Sequence, residues 1–164
     1  MRHASQLLIL ALALAATPAL GKSSDRNQPM DISADRTDAM LGDDSVSTLE
    51  GNVRIRQGTL EVDAARAEVI RAAGEINRIV LTGAPAVLRQ VSDAGEPMEA
   101  TAGRIVYMLG DETMMLTGNV VITQPRGTLR GETIKYDINT GRLDGGGDGA
   151  RVQMRILPKS ATAN

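Results

Sequence analysis

Leu116–Tyr136 reads Leu-Thr-Gly-Asn-Val-Val-Ile-Thr-Gln-Pro-Arg-Gly-Thr-Leu-Arg-Gly-Glu-Thr-Ile-Lys-Tyr, and Leu49–Val69, Leu-Glu-Gly-Asn-Val-Arg-Ile-Arg-Gln-Gly-Thr-Leu-Glu-Val-Asp-Ala-Ala-Arg-Ala-Glu-Val, repeats its design. The copies align without a gap from Leu-x-Gly-Asn-Val to Gln, after which the later one inserts Pro125 and Arg126 before the shared Gly-Thr-Leu. Two weaker copies emerge when the repeat is split. An opening half, apolar-x-small followed by apolar residues one step out of phase, occurs at Ile32-Ser33-Ala34 with Ala39 and at Val62-Asp63-Ala64 with Ala67 and Val69. It recurs at Ala100-Thr101-Ala102 with Ile105 and Tyr107, and at Leu129-Arg130-Gly131 with Ile134 and Tyr136. A closing half, Leu-x-Gly, begins at Leu49, Leu81, Leu116 and Leu143. Four units of about thirty residues result, a period at which repeats mark an array of supersecondary units.

Within the units, apolar and polar residues alternate. Leu49, Gly51, Val53 and Ile55 fall on one face, and Glu50, Asn52, Arg54 and Arg56 on the other, the pattern of an antiparallel sheet with one wet side. Inward positions then slip by one after Ala34, Ala64, Ala102 and Gly131. A one-residue slip would put the core face into water unless the strand bends or bulges there, so these four sites are expected to be corners between two sheets. Ala64–Ala73 is Ala-rich, yet it aligns with strand-like Leu129–Tyr136 and is therefore assigned to strand. Turn residues at 41–44, 72–75, 92–97, 109–112 and 138–142 punctuate the pattern. The fold class is all-β, one antiparallel domain over residues 29–158.

Ahead of that domain, Arg2 and His3 precede an unbroken apolar run from Leu7 to Ala16 and small residues at Pro18–Gly21. This layout predicts a cleaved signal peptide over 1–21, the alternative being a retained anchor. Lys22–Gln28 is expected to be a disordered leader and 159–164 a mobile tail. With no Cys in the chain, a lipidated N-terminal cysteine and a disulfide framework are both excluded.

Composition limits the chemistry. Cleavage after residue 21 would remove Arg2, leaving 17 basic against 20 acidic residues, a net charge of −3. There is no Phe or Trp, and the only tyrosines are Tyr107 and Tyr136. A nucleic-acid surface needs a basic stripe and stacking rings, so no nucleic-acid partner is expected. His3, in the signal peptide, is the only histidine. Ser-His and Cys-His pairs and ordinary zinc sites are thereby removed, and no catalytic residue, metal or cofactor is assigned. Asp63 and Glu132, at equivalent repeat positions, could be offered as a glycosidase carboxylate pair, but alternation puts both outside, where solvated charge is the better reading.

Gln28-Pro29-Met30-Asp31-Ile32, the two Leu-x-Gly-Asn-Val segments, Gly83-Ala84-Pro85-Ala86, Gly95-Glu96-Pro97 and Arg104-Ile105-Val106-Tyr107 together resemble the LptA/OstA-like family of periplasmic lipopolysaccharide-transport bridge proteins, over about residues 28 to 158. The resemblance implies an open, V-shaped antiparallel β-jellyroll whose apolar groove shields lipid A acyl chains on the way from the inner to the outer membrane. It implies head-to-tail homo-oligomers, an inner-membrane tethered adaptor at the N-terminal edge, and the N-terminal domain of the outer-membrane translocon at the C-terminal edge. It assigns Met30, Ile32, Leu88, Tyr107 and Leu109 to lipid contact and Arg71 to a lipid phosphate. Each apolar position fits core packing equally well, and Arg71 fits a solvated charge. Docking edges would be Met30 and Ile32 at one end and Val152, Met154 and Ile156 at the other. The competing reading is a non-catalytic periplasmic β scaffold or adaptor paralogue that binds no lipid.

Overall fold

The computed structural model describes residues 24–146 and 150–158. The expected signal peptide and tail lie outside them. Ten strands follow one another: β1 Met30–Ser33, β2 Arg36–Asp38, β3 Ser45–Gln57, β4 Leu60–Ala72, β5 Glu75–Val91, β6 Pro97–Met108, β7 Thr113–Gln124, β8 Gly127–Asp137, β9 Leu143–Gly145 and β10 Gln153–Ile156. They form one antiparallel sheet in chain order, β1-β3-β4-β5-β6-β7-β8-β10, with β2 beside β3 and β9 beside β8. Ala64–Ala73, which propensity alone would make helical, lies in strand β4 but for its last residue, because a strand there buries Ala67 and Val69 while local preference is weak.

Register slips at one level across every pair from β3–β4 to β7–β8, at Gly51–Asn52, Ala64–Ala65, Gly83–Pro85, Ala102–Gly103 and Gly118–Asn119. The long strands bend there, and the sheet divides into two half-sheets. Buried positions change phase by one in β4 (Val62 to Ala67), β6 (Ala102 to Ile105) and β8 (Leu129 to Ile134), at the small residues expected from the sequence. In β3 and β7 the corner has another chemistry. Phase is kept, and the chain turns through a left-handed pair, Gly51 (φ 77°) and Asn52 (φ 44°), then Gly118 (φ 86°) and Asn119 (φ 47°). Gly and Asn are the residues that tolerate this region, so the Gly-Asn of the repeated motif is the corner itself.

The four-unit reading accounts for the edges as well. β1 pairs with Arg54–Gln57 of β3, beyond the corner, while β2 pairs with Thr48–Glu50, before it. They are two halves of one bent strand, broken at Ala34–Asp35, where the Asp35 N–H donates to Gly51 O (2.8 Å). β9 and β10 likewise pair with β8 on either side of its bend. Ala39, expected to point inward after this first corner, is exposed beyond the end of β2.

One core joins the half-sheets. Val53, Ile55, Leu60, Val62, Leu88 and Ile122 come from the first, Leu49, Ile79, Leu81, Ile105, Leu116 and Ile134 from the second. The leucines of three Leu-x-Gly motifs, Leu49, Leu81 and Leu116, are all buried, and the fourth, Leu143, packs against the same core from β9. Outside, the first half-sheet carries an ion-pair ladder. Asp63 accepts from Arg54 Nε at 2.7 Å and Arg89 Nη1 at 3.0 Å, and Glu61 and Glu99 accept from Arg56 and Arg89.

Ser24–Gln28 departs from the disordered leader expected over 22–28. Asp25–Asn27 is a 3-10 turn, and Asp25 is only 5% exposed. The polarity of this segment is plain in the sequence; the partners that offset the cost of its burial are supplied by distant strands.

Candidate functional site

The inward faces of the half-sheets meet in an interior, here called the trough, that runs across the strands from the β1 edge to the β10 edge. Its walls are the inward residues of every strand and are almost wholly aliphatic. At one end, Met30 and Ile32 of β1 are half-buried against the core. At the other, a groove of about 250 Å³ opens among Ile122, Leu129, Leu143, Met154 and Ile156, with Gln124, Arg126, Thr128 and Arg155 also lining it. Apolar side chains thus extend to both edges.

In this structure the trough is closed. Leu88, Ile79, Ile105, Met114, Leu116 and Ile134 are each 0% exposed, so the walls pack on one another. The corners hinge one long side. Along the other, where the strand ends meet, polar contacts cross between the half-sheets. Tyr136 Oη, at the far end of β8, donates to Gln90 Oε1 of β5 at 2.8 Å, and both residues are buried. Burial pushes the Tyr136 phenol up to about 12, since a phenolate there would lose its water. Beside this pair lies a small cavity of about 80 Å³ lined by Gln90, Ser92, Glu96, Met98, Gln124 and Tyr136.

The residues assigned from the sequence are distributed along this trough rather than gathered at one point. Leu88 is in the core of the first half-sheet, and Tyr107, 6% exposed, is in that of the second. Leu109 is half-buried just beyond β6, its N–H donating to Asn77 O at 3.1 Å. Arg71, at the end of β4, folds onto its own turn and donates to the Gly74 carbonyl, while its Nε is buried without a partner. Val152 precedes β10 and packs against the core, whereas Met154 (68% exposed) and Ile156 (70%) line the open edge. Asp63 is clamped in the ladder. Burial opposes its charge, but the hydrogen bonds from Arg54 and Arg89 prevail and hold its carboxyl below the usual range. Glu132, its repeat counterpart, accepts the Asn119 N–H (3.4 Å) on the outside of the corner. Among the described residues no group of three or more His, Asp or Glu side chains could hold a metal ion.

Sequence reasoning missed the seam. Asp25, Gln90 and Tyr136 are far apart in the chain and share no motif; the only hint was a Gln at an inward strand position, where alternation expects an apolar residue.

Comparison with known proteins gives a consistent picture. Residues 31–142 match the model of a family described as LptA/(LptD N-terminal domain) LPS transport protein. The chain is 33% identical over 157 residues to the lipopolysaccharide export system protein LptA of Escherichia coli K12, covering 92% of this chain and 84% of that protein. It is 31% identical over 156 residues to LptA of Haemophilus influenzae, covering 93% and 90%. The crystal structure of LptH, described as the LptA-homologous periplasmic component of the lipopolysaccharide transport device of Pseudomonas aeruginosa, superposes with a TM-score of 0.74 at 23% identity, over 82% of this chain and 99% of that one.

Proposed function

Since this chain belongs to the LptA/(LptD N-terminal domain) family of lipopolysaccharide transport proteins, we propose that it is a periplasmic segment of the bridge that carries lipopolysaccharide from the inner to the outer membrane, holding the acyl chains between its two half-sheets. One observation carries this reading: the aliphatic side chains of the trough reach both ends of the sheet, and among the described residues the strand at each end is paired on one side only. Each buried methylene contributes about 0.8 kcal/mol, so partial burial of several acyl chains outweighs any single polar contact. Near-uniform aliphatic walls favour sliding over trapping. A row of such segments would give lipid a series of equivalent sites.

Bare edges are normally an aggregation hazard; Met154 and Ile156 on β10, and Met30 and Ile32 on β1, suit edge-to-edge strand addition. Protomers would stack with β10 of one beside β1 of the next. The tethered adaptor of the inner membrane would occupy the β1 end, and the translocon's N-terminal domain the β10 end. Arg71 is bound to its own turn and would have to release Gly74 before meeting a phosphate.

Site-specific photocrosslinking in intact cells tests the reading, with probes at Ile32 and Leu88 inside and at Arg54 outside. Lipopolysaccharide adducts are expected from the two interior positions alone. A folded, exported protein giving no adduct from either would leave a β scaffold without lipid as the better account.

A further inference from the structure

The walls of the trough are in contact with one another, so a chain can enter only if the half-sheets part. Since the corners join them on one side, parting means opening the opposite seam. What holds that seam is therefore what controls loading.

Ser24–Gln28 lies across it. Asp25 Oδ2 accepts from Thr59 Oγ1 (2.5 Å), at the β3–β4 turn of the first half-sheet, and from Gln90 Nε2 (3.5 Å), whose Oε1 holds Tyr136 of the second. Arg26 pairs with Glu112, on the β6–β7 turn of the second half-sheet. Gln57 Nε2 donates to the backbone carbonyls of Arg26 (3.5 Å) and Gln28 (3.2 Å). Neighbouring residues 25 and 26 thus grip opposite walls. The first wall is shaped to receive the strap: a Cβ added at Gly58 would lie 2.9 Å from Asp25 Cα, closer than real contacts allow.

We propose that Ser24–Gln28 is a releasable strap across the seam, latched by Asp25 on one half-sheet and Arg26 on the other, which keeps the empty trough closed and must detach before acyl chains enter. This rests on the lipid-carrying reading above. Its materials suit the task. A permanent closure would continue the aliphatic core, whereas this one is made of hydrogen bonds to a buried Asp25 and of the Arg26–Glu112 ion pair, whose side chains remain one-quarter to one-third exposed. Water can replace such contacts at modest net cost. Lipid in the trough then gains burial that the released strap does not lose.

The test uses purified protein and fluorescein-labelled lipopolysaccharide in stopped-flow mixing. D25A/R26A, checked for native circular dichroism, is expected to load faster than wild type by on the order of tenfold, because the closed state loses charge-assisted bonds and the competent fraction rises. The converse variant, R26C/E112C, exploits a chain without cysteine. Bridged by a short cleavable bis-maleimide, it is expected to load at least about tenfold more slowly, and to recover when the linker is cut. Equal loading rates for bridged and cleaved protein would overturn the strap while leaving lipid binding intact. If wild-type protein takes up no lipopolysaccharide at any concentration, the functional reading itself falls, and the strap's role falls with it.

Discussion

Replacing Tyr136 by Phe should show how strongly the seam is held. The change removes one oxygen and leaves the ring in place, so packing is nearly conserved. What it takes away is the donor to Gln90 Oε1, a 2.8 Å bond between residues 7% and 5% exposed. A buried acceptor left without a partner costs about 1–3 kcal/mol. A midpoint of about 2 kcal/mol, divided by an unfolding entropy of about 2.1 cal/mol/K per residue over the ordered domain, lowers Tm by about 7 °C. Gln90→Met alone should cost a similar amount by stranding the Tyr136 hydroxyl. The double variant should cost less than the sum of the two, with a coupling of about 1–2 kcal/mol: neither Tyr136 nor Gln90 then leaves the other stranded, and the loss of the Gln90 Nε2 bond to Asp25 is common to the single and double variants and cancels. Urea unfolding followed by circular dichroism reads this directly: midpoints should move at constant slope. Strict additivity, or a single-variant loss under about 0.3 kcal/mol, would refute the claim that this bond joins the two half-sheets.

Gly118→Ala should cost about 1–2 kcal/mol through its left-handed backbone alone, since an added Cβ there meets nothing nearer than 3.5 Å, and Gly118→Asn should recover part of the loss in the same urea assay. Stability should also fall in alkali. The Tyr136 pKa is raised to about 12 in the folded protein, so its contribution is whole below the ordinary tyrosine value near 10 and drains away as pH climbs towards 12; ultraviolet titration of phenolate alongside circular dichroism follows both. Asp63→Ala breaks an exposed ladder and should cost less than about 1 kcal/mol without altering lipopolysaccharide uptake, whereas a catalytic carboxylate would not be so expendable. Met154→Glu with Ile156→Glu, at positions 68% and 70% exposed, should change stability by no more than about 0.5 kcal/mol yet abolish the end-to-end stacking proposed above, which sedimentation velocity of the unaltered protein would register as self-association.

Alternation, the phase slip at Ala64, Ala102 and Gly131, and the fourfold recurrence of Leu-x-Gly were enough to read a bent antiparallel array, because each signal acts within a few residues of itself. The Gly-Asn pair was visible too, but as part of a motif; that it turns β3 and β7 through left-handed backbone became clear only from φ angles of 77° and 44°, and 86° and 47°. Splitting of the first and last bent strands into β1 with β2, and β9 with β10, was not legible, since edge strands have a neighbour on one side only.

The sequence by itself determined the class of the fold, the apolar inner face and the absence of histidine and cysteine chemistry after the leader, all of which follow from composition and local periodicity. Tertiary structure alone decided the state of the trough. Across its open side Asp25, Thr59, Gln90 and Tyr136, and Arg26 with Glu112, come together from five separate places in the chain, and contacts of that kind leave no period to follow. For the same reason a polar leader became a strap: burying a carboxylate is costly unless partners meet it, and the partners are supplied by the fold.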